Sequence, residues 1–354
     1  MLTLHVVTKI DAIPSDDLFR SLNTAFDQYG ETNTVVQGKA VGLGKEDGKT
    51  VIEVEVADGG KQTLRCDSLF VCTGTTSASP LWTLHDDHTT SVRALRETQD
   101  LLPKVKTVLI AGAGPVGVET AGEIAFSHPH IKITLVAGGE PLEKQNVSAG
   151  IISNAKKQLA NAQVEVLTNI RVKNTVNGAS STIVQLSDGS SKTVDLFIDA
   201  RGATKVNSDF IPSAWLDDTC RVRTDKTFRV QAPDTSDIYV VGDIVSGSLN
   251  TAIELDAQVV TAASSFVVDV AQKLGHETSG GSLLSWIPGM GPAGPTEKAF
   301  KPMNACFVPI GPNGGVGQVM GFAVPSFVVK KGKAEKFLME LVPPMISGTK
   351  YAQL

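Results

Sequence analysis

Cysteines, aromatic side chains and long apolar runs are all scarce in this chain, and each scarcity argues against a class of protein. Only four of the 354 residues are cysteines, Cys66, Cys72, Cys220 and Cys306, and none stands in a CxxC or another close pair. That argues against a disulfide-built scaffold, a dithiol redox centre and a zinc site of ordinary spacing, and leaves reduced, mostly buried thiols as the expectation. His85 and His88 flank Asp86 and Asp87, but no second metal-type pair stands near, and the stretch reads as a solvated loop. The net charge is -5, with no basic stripe interleaved with aromatics, which argues against a nucleic-acid partner. No apolar run reaches the roughly 20 residues of a transmembrane helix. The longest, 319–329 and 337–346, are broken by Pro325 and by Glu340 with Pro343 and Pro344. The start, Met1-Leu2-Thr3-Leu4-His5, lacks the basic region and apolar core of a secretory signal and the second-position glycine of a myristoylation site. The chain is therefore expected not to be secreted. A hydrophobic content of 42% with 19% charged residues suits a folded protein, and the length suits two or three domains.

Against that background one stretch stands out. Residues 107–124 read TVLIAGAGPVGVETAGEI. An apolar strand, 108–111, runs into Gly112-x-Gly114-x-x-Gly117; an Ala/Ile-rich helical pattern comes next, and then a second strand, 131–136. A GxGxxG alone is weak, but set between a strand and a helix in a βαβ-sized window it marks a dinucleotide site. Gly112 allows the tight turn, Gly114 admits a pyrophosphate to the backbone, and Gly117 lets helix and strand approach. The helix beginning at Pro115 then turns its positive end toward the phosphates.

Elsewhere the chain alternates hairpins and short apolar strands. A helix is expected over 16–29, with Ser15 as its cap. Strands are expected over 35–43, 50–56 and 61–65, then an apolar strand, 69–72, ending at Thr73-Gly74. A helix over 91–102 leads into the central motif. Past it the pattern predicts a helix over 147–162, a strand over 164–167, a hairpin of 182–186 with 192–194 about Asp188-Gly189, and a strand, 195–200, ending at Arg201-Gly202. The sequence thus repeats itself: twice a hairpin is followed by a strand that stops at a glycine, as in two similar dinucleotide domains with one inserted into the other. A further strand ends at Gly242-Asp243. Helical spacing resumes over 253–274, a Gly/Pro/Ser-rich stretch over 279–295 reads as a linker, short strands fill 301–329, and a helix is expected over 331–341.

Taken together these motifs resemble the apoptosis-inducing-factor-like flavoproteins, most closely the ferroptosis-suppressor type, which are FAD-dependent NAD(P)H oxidoreductases related to glutathione reductase. The resemblance rests on 36–40 (VQGKA), 71–75 (VCTGT), 112–119 (GAGPVGVE), 238–243 (IYVVGD) and 315–318 (GVGQ) with Gly321. It implies an α/β fold of two dinucleotide-binding domains. The domains would be a partial FAD-binding domain from 1–103 and 203–275, an NAD(P)-binding Rossmann domain over 104–202, a linker over 276–300 and a C-terminal domain over 301–354. It implies that Thr73, Gly74, Gly112, Gly114, Pro115, Gly117, Glu119, Gly202, Gly242 and Asp243 bind cofactor. Glu119 would be the catalytic acid beside the nicotinamide, and Asp243 would bond the ribityl and pyrophosphate part of FAD. Read without the resemblance, Glu119 answers the helix dipole and Gly242-Asp243 ends a strand and caps the next segment.

The family opens with a GxGxxG of its own that holds the FAD pyrophosphate. Residues 1–30 contain one glycine, Gly30, and no such motif, so a unit of roughly 30 residues or more is expected to lie outside this sequence. Three readings stay open: a shortened FAD-dependent NAD(P)H oxidoreductase, a nucleotide-binding pseudoenzyme that has lost FAD, or an inactive fragment. With no cysteine pair, the acceptor implied is quinone-like rather than a disulfide. A peripheral membrane contact, a homodimer, and a cytoplasmic or mitochondrial location are consistent with the resemblance. Between NADH and NADPH the residues lean to NADH: no Arg comes soon after the 131–136 strand, while Glu140 stands slightly beyond the position of the acid that binds the ribose hydroxyl.

Overall fold

A computed structural model describes residues 19, 21, 25–276, 294–335 and 338–351. The described chain forms two compact units, one made mainly of 76–205 and 304–346, the other of 26–75 and 206–303 with the last residues from 347. In chain order the strands are β1 (Gly38–Glu46), β2 (Lys49–Val56), β3 (Lys61–Cys66), β4 (Leu69–Val71), β5 (Thr75–Ser77), β6 (Thr107–Ala111), β7 (Lys132–Val136), β8 (Val164–Leu167), β9 (Val172–Asn177), β10 (Thr182–Leu186), β11 (Ser191–Val194), β12 (Leu196–Asp199), β13 (Ala203–Val206), β14 (Ile238–Val240), β15 (Ala305–Pro309), β16 (Gly315–Val319) and β17 (Phe322–Ala323). The helices used below are α1 (His88–Leu101), α2 (Pro115–Ser127), α3 (Ala149–Asn161), α4 (Ala252–Lys273) and α5 (Ser326–Val329). The chain passes between the units within β5 and β13.

The first unit is built on a parallel sheet of order β12-β6-β7-β8. Its central strand explains the layering. Successive residues of a strand point to opposite faces, and Val108 and Ile110 join the cluster with Val118, Ile124, Ile151 and Leu159 from α2 and α3. Leu109 and Ala111 face the other way and meet Val172, Val184, Leu186 and Val194 of the antiparallel β11-β10-β9 sheet. Both faces are covered, as a parallel sheet requires. All four side chains of 108–111 are essentially inaccessible, each larger one worth about 1.5–3 kcal/mol of burial.

The C-terminal strands, in the order β15-β16-β17, belong to this same unit. Helix α2 comes so close that a methyl group at Gly122 would stand 2.6 Å from Gly311 N and 2.7 Å from Ile310 Cα. Gln158 Nε2 also donates to Gly315 O at 3.0 Å, and Gln318 Nε2 to Asn146 O at 3.0 Å. The unit edges near 203 and 301 fall within a few residues of the sequence boundaries, but 76–103, expected in the FAD-binding domain, lies in the unit of the central sheet, and 304–346 joins that unit rather than standing alone. The reason is side-by-side packing of small residues, which the linear pattern does not reveal.

In the second unit an antiparallel β1-β2-β3 sheet accompanies a parallel pair, β4 and β14, aligned Leu69↔Ile238, Phe70↔Tyr239 and Val71↔Val240. Val71, Ile238, Val240, Val241 and Ile244 form its core with Val222, Phe228 and Ala262. Helix α4 starts at the N-cap Thr251, whose hydroxyl accepts the Glu254 N–H, and Glu254 reaches back to Leu249 N.

Most elements fall where the sequence puts them, but the short strands β5 and β13 have no counterpart in the expectations, and four further points stand out. Strand β9 has no counterpart in the expectations, because its alternation is mostly polar. The helix expected over 16–29 lies largely outside the described residues, and its described end is a tight turn over Asp27–Thr32 with Gly30 at φ 60. The linker expected over 279–295 also lies almost wholly outside them. The single helix expected over 331–341 is instead α5 continued by a wide turn, Lys330–Ala334, and a separate short turn after Leu338, whose φ of 61 breaks the helix.

Candidate functional site

The sequence-derived residues gather in two places, one in each unit. In the first unit, β6 delivers the chain to Gly112 between the ends of its neighbours. Gly112 N–H donates to Val136 O at 2.9 Å, and Ala200 N–H donates to Ala111 O at 2.8 Å. Gly112 has φ +102, and a methyl group there would meet Ala200 O at 2.5 Å; no side chain is tolerated in that turn. A methyl group at Gly117 would stand 1.8 Å from Gly112 O, so the helix can begin here only because Gly117 has none. At Gly114, the extended N-cap of α2, it would meet open space. Pro115 occupies the first helical position, where its missing N–H costs nothing. The other first-turn N–H groups have no acceptor within the helix. Gly202, φ +91, lies just past β12 beside this turn. A concave turn free of side chains, with amides converging at a helix start, fits the pyrophosphate of a nicotinamide dinucleotide.

Glu119 sits one turn further along α2 and is completely buried. Its Oε1 is 2.5 Å from Lys333 Nζ, which also donates to Phe307 O at 3.2 Å. Lys333 is itself 7% exposed. Burial raises the Glu119 carboxyl above the usual carboxylate range, opposed by the Lys333 ammonium. Among the described residues Glu119 Oε2 has no hydrogen-bond partner, which leaves a buried acceptor at the helix that opens the cradle. Sequence reasoning missed Lys333. It stands far from Glu119 along the chain, and a lysine in a Lys-rich tail carries no mark of burial. Burial also raises the thiol of Cys306, which is close enough to feel both charges. Beside the glycine turn, Arg201 forms a two-pronged bond to Asp199, Nε to Oδ1 at 2.9 Å and Nη2 to Oδ2 at 2.6 Å.

In the second unit, β4 and β14 end side by side. Thr73 Oγ1 donates to Asn207 O at 2.8 Å, Asn207 Nδ2 donates to Thr73 O at 2.8 Å, and Asn207 N–H donates to Gly74 O at 3.0 Å. Gly242 N–H donates to Gln258 Oε1 at 2.6 Å. Asp243 accepts from Thr75 Oγ1 at 3.4 Å, and its carbonyl accepts from Arg221 Nε at 3.2 Å. Gly74 has φ +59 with open space beside it, and Gly242 has φ +93 with only Leu255 Cδ1, 3.9 Å from where a methyl group would stand. Carboxyl ends of parallel strands are where nucleotides bind in such sheets. These residues fit one part of a flavin nucleotide. Among the described residues of this unit, no glycine turn opening a helix stands against them.

Among the described residues no group of three or more His, Cys, Asp or Glu could hold a metal ion, and all four cysteines are free. No helix of the described residues is long and apolar enough to cross a membrane.

Comparison with known proteins agrees with this geometry. The pattern of the family described as pyridine nucleotide-disulphide oxidoreductase matches residues 4–263. The chain is 28% identical to oxidoreductase ptaL of Pestalotiopsis fici, covering 95% of this chain and 84% of that protein. It is 29% identical to oxidoreductase phnG of Penicillium herquei, covering 97% and 84%. With ferroptosis suppressor protein 1 of Mus musculus it shares 22% identity over 86% of this chain and 76% of that one. Among solved structures, an NAD-dependent persulfide reductase from A. fulgidus superposes with a TM-score of 0.54 at 19% identity, covering 69% of this chain and 45% of that chain. An engineered water-forming NADPH oxidase bound to NADPH gives 0.55 at 16% identity, covering 69% and 53%. The chain therefore spans about half the length of these solved structures, and the likeness to them is one of fold.

Proposed function

Because the chain belongs to the pyridine nucleotide-disulphide oxidoreductase family, whose cofactors are FAD and NAD(P)H, we propose that it oxidises NAD(P)H and passes the electrons to a quinone-like small molecule. The observation that carries this reading is the Gly112–Gly117 turn opening α2, with the buried Glu119–Lys333 pair behind it. When bound, FAD supplies the hydride acceptor and the outlet for electrons, chemistry that no protein side chain provides. The chain's own part is binding and orientation. Gly112, Gly114 and Gly117 clear the backbone for the pyrophosphate, and Pro115 starts the helix whose amides receive it. Gly202 keeps the adjoining strand end clear. Lys333 fixes Glu119 through Oε1, and Oε2 would accept an N–H from the nicotinamide carboxamide once the residues covering it make way. Thr73, Gly74, Gly242 and Asp243 would hold flavin where β4 and β14 end.

Two observations support a lipophilic acceptor over a disulfide. No cysteine pair stands ready to relay electrons, and burial raises the thiol of Cys306, which disfavours the thiolate. Met320 and Phe322 at the β16–β17 turn and Phe327 in α5 are 75%, 79% and 68% exposed. In the same unit the turn that continues α5 adds Lys330 and Lys331. Apolar tips beside lysines suit a peripheral contact with an anionic bilayer, where quinones dissolve, at a cytoplasmic or mitochondrial membrane. The test is NAD(P)H oxidation by the FAD-supplemented protein with a quinone in anionic vesicles, a water-soluble quinone, or oxygen alone as acceptor. Faster turnover with vesicle-borne quinone supports the reading. Turnover with oxygen alone, unmoved by either quinone, contradicts it.

A further inference from the structure

The end of β7 carries a feature that the spacing rule does not reach. In a dinucleotide fold the adenosine ribose lies beyond the second strand of the sheet, and the charge waiting there distinguishes NADH from NADPH. Here that strand is β7, followed by Ala137-Gly138-Gly139-Glu140. This loop belongs to the same site as the glycine turn, because Leu142 N–H donates to Ala113 O at 2.8 Å.

Glu140 is the acid nearest the position that would accept ribose hydroxyls, and it is occupied. Its carboxylate takes the Lys156 ammonium from α3, Nζ to Oε2 at 2.9 Å. Glu143, the next acid, turns back on its own loop, where Oε2 accepts the Glu140 N–H at 2.6 Å. That carboxylate lies over Gly139, 1.9 Å from where a methyl group on Gly139 would be.

A cation arrives from the other side. Past β8 the chain stays in register with the β7 loop: Ala137 N–H donates to Leu167 O at 2.8 Å, Ile170 N–H to Ala137 O at 3.0 Å and Asn169 N–H to Gly139 O at 3.3 Å. This pairing brings Arg171 onto Gly138. A methyl group there would lie 3.1 Å from Arg171 Cζ, 3.2 Å from Nη1 and 3.3 Å from Cγ. Any residue but glycine at 138 would press on this side chain. The Arg171 backbone is held on both sides, its N–H donating to Ser187 Oγ at 3.0 Å and its carbonyl accepting from Ser187 N–H at 2.8 Å. The side chain is exposed, and its guanidinium has no ion pair or hydrogen bond among the described residues. At the end of β7, then, the acids are engaged, and the charges left free among the described residues there are two cations, Lys144 and Arg171; of these Arg171, lying on Gly138, is the planar, five-donor group best matched to a phosphate.

We infer that Arg171 is a 2′-phosphate anchor and that the chain prefers NADPH to NADH. This rests on the nicotinamide site proposed above. It also reverses the lean toward NADH drawn from the sequence, which sought an Arg soon after β7. Arg171 comes instead from beyond β8, a whole helix and strand later.

Calorimetric titration of the purified chain with NADP+ and with NAD+, at low salt and without added flavin, tests it by binding alone. One or two charge-assisted bonds to the extra phosphate predict NADP+ binding tighter by about ten- to a hundredfold. That advantage should narrow as salt rises. Arg171→Ala should bring NADP+ down to the NAD+ level while changing NAD+ affinity less than about twofold and leaving the melting temperature in place, since the side chain is exposed. Arg171→Lys, which keeps the charge and loses the fork, should fall between. Equal affinities in the unaltered protein, or an NADP+ preference that survives Arg171→Ala, overturn the inference while leaving the nicotinamide site intact. Failure of both nucleotides to bind overturns both.

Discussion

The two nucleotide-binding regions carry similar glycines and differ in what surrounds them. In the first unit a strand, a tight turn and a helix start are fused at Gly112–Gly117, so amides, dipole and clearance converge on one point. In the second, Thr73-Gly74 and Gly242-Asp243 end a pair of strands held by Asn207 and Gln258, with clearance but, among the described residues, no glycine turn opening a helix toward it. Glycines at strand ends make room for a nucleotide. A glycine turn leading into a helix also supplies the charge that holds it. We therefore read the first unit as carrying the nicotinamide-nucleotide site and the second as holding one part of the flavin.

The comparison can be broken most forcefully at Lys333. Lys333→Ala leaves Glu119 buried without its partner and should cost about 3–5 kcal/mol, read as a fall in the urea midpoint with unchanged slope. An effect below about 1 kcal/mol would mean that the pair is not buried as described.

Glycine substitutions sharpen the contrast. Gly117→Ala drives a methyl group toward Gly112 O and should cost about 1–3 kcal/mol or more, with nicotinamide-nucleotide binding lost in the same titration. Gly242→Ala meets only Leu255 Cδ1 at 3.9 Å. Its cost should be limited to backbone strain of about 1–2 kcal/mol, with nicotinamide binding unchanged.

The two regions should also differ in sign with pH. Glu119 has a folded pKa above its ordinary 4.5. The folded state thus holds its proton more tightly, and this contribution to stability declines as pH climbs from about 4.5 through the raised value. Asp217 in the second unit is the opposite case. Burial pushes it up, but hydrogen bonds from Ser246, the Arg221 N–H and Thr219 outweigh burial and hold it well below its ordinary 3.8. Its contribution is full above that value and lost as pH falls below it. Urea midpoints across the acid range should lose their high-pH decline in Glu119→Gln and part of their low-pH decline in Asp217→Asn. Slopes unaltered in both variants would contradict the assignment.

The smallest effect is expected at the apolar turn. Phe322→Ser should shift stability by less than about 0.5 kcal/mol, yet weaken co-sedimentation with anionic vesicles while leaving binding to neutral ones little changed. A change in oligomeric state instead would point to a second copy of the chain on that face.

How far a feature is legible in the sequence depends on the reach of the forces involved. The βαβ unit was legible because Gly112, Gly114 and Gly117 act within one turn, and the alternation of 108–111 records a strand buried on both faces. The strand ends at Gly74, Gly202 and Gly242 were legible for the same local reason. Lys333 and Arg171 were not, since each reaches its place through a sheet edge or helix face set by residues far away. Strand β9 was hidden by its polar alternation, and the alliance of 304–346 with the first unit by the closeness of Gly122 to Gly311, which no periodicity encodes.

The visible absorbance spectrum of the purified chain, taken with added FAD after removal of the unbound excess and again after anaerobic NADPH, tests the central claim most directly. The account predicts a retained flavin band that NADPH bleaches. Retention of NADPH by a protein that stays colourless at every FAD concentration would contradict the oxidoreductase reading and leave a nucleotide-binding chain without its redox partner.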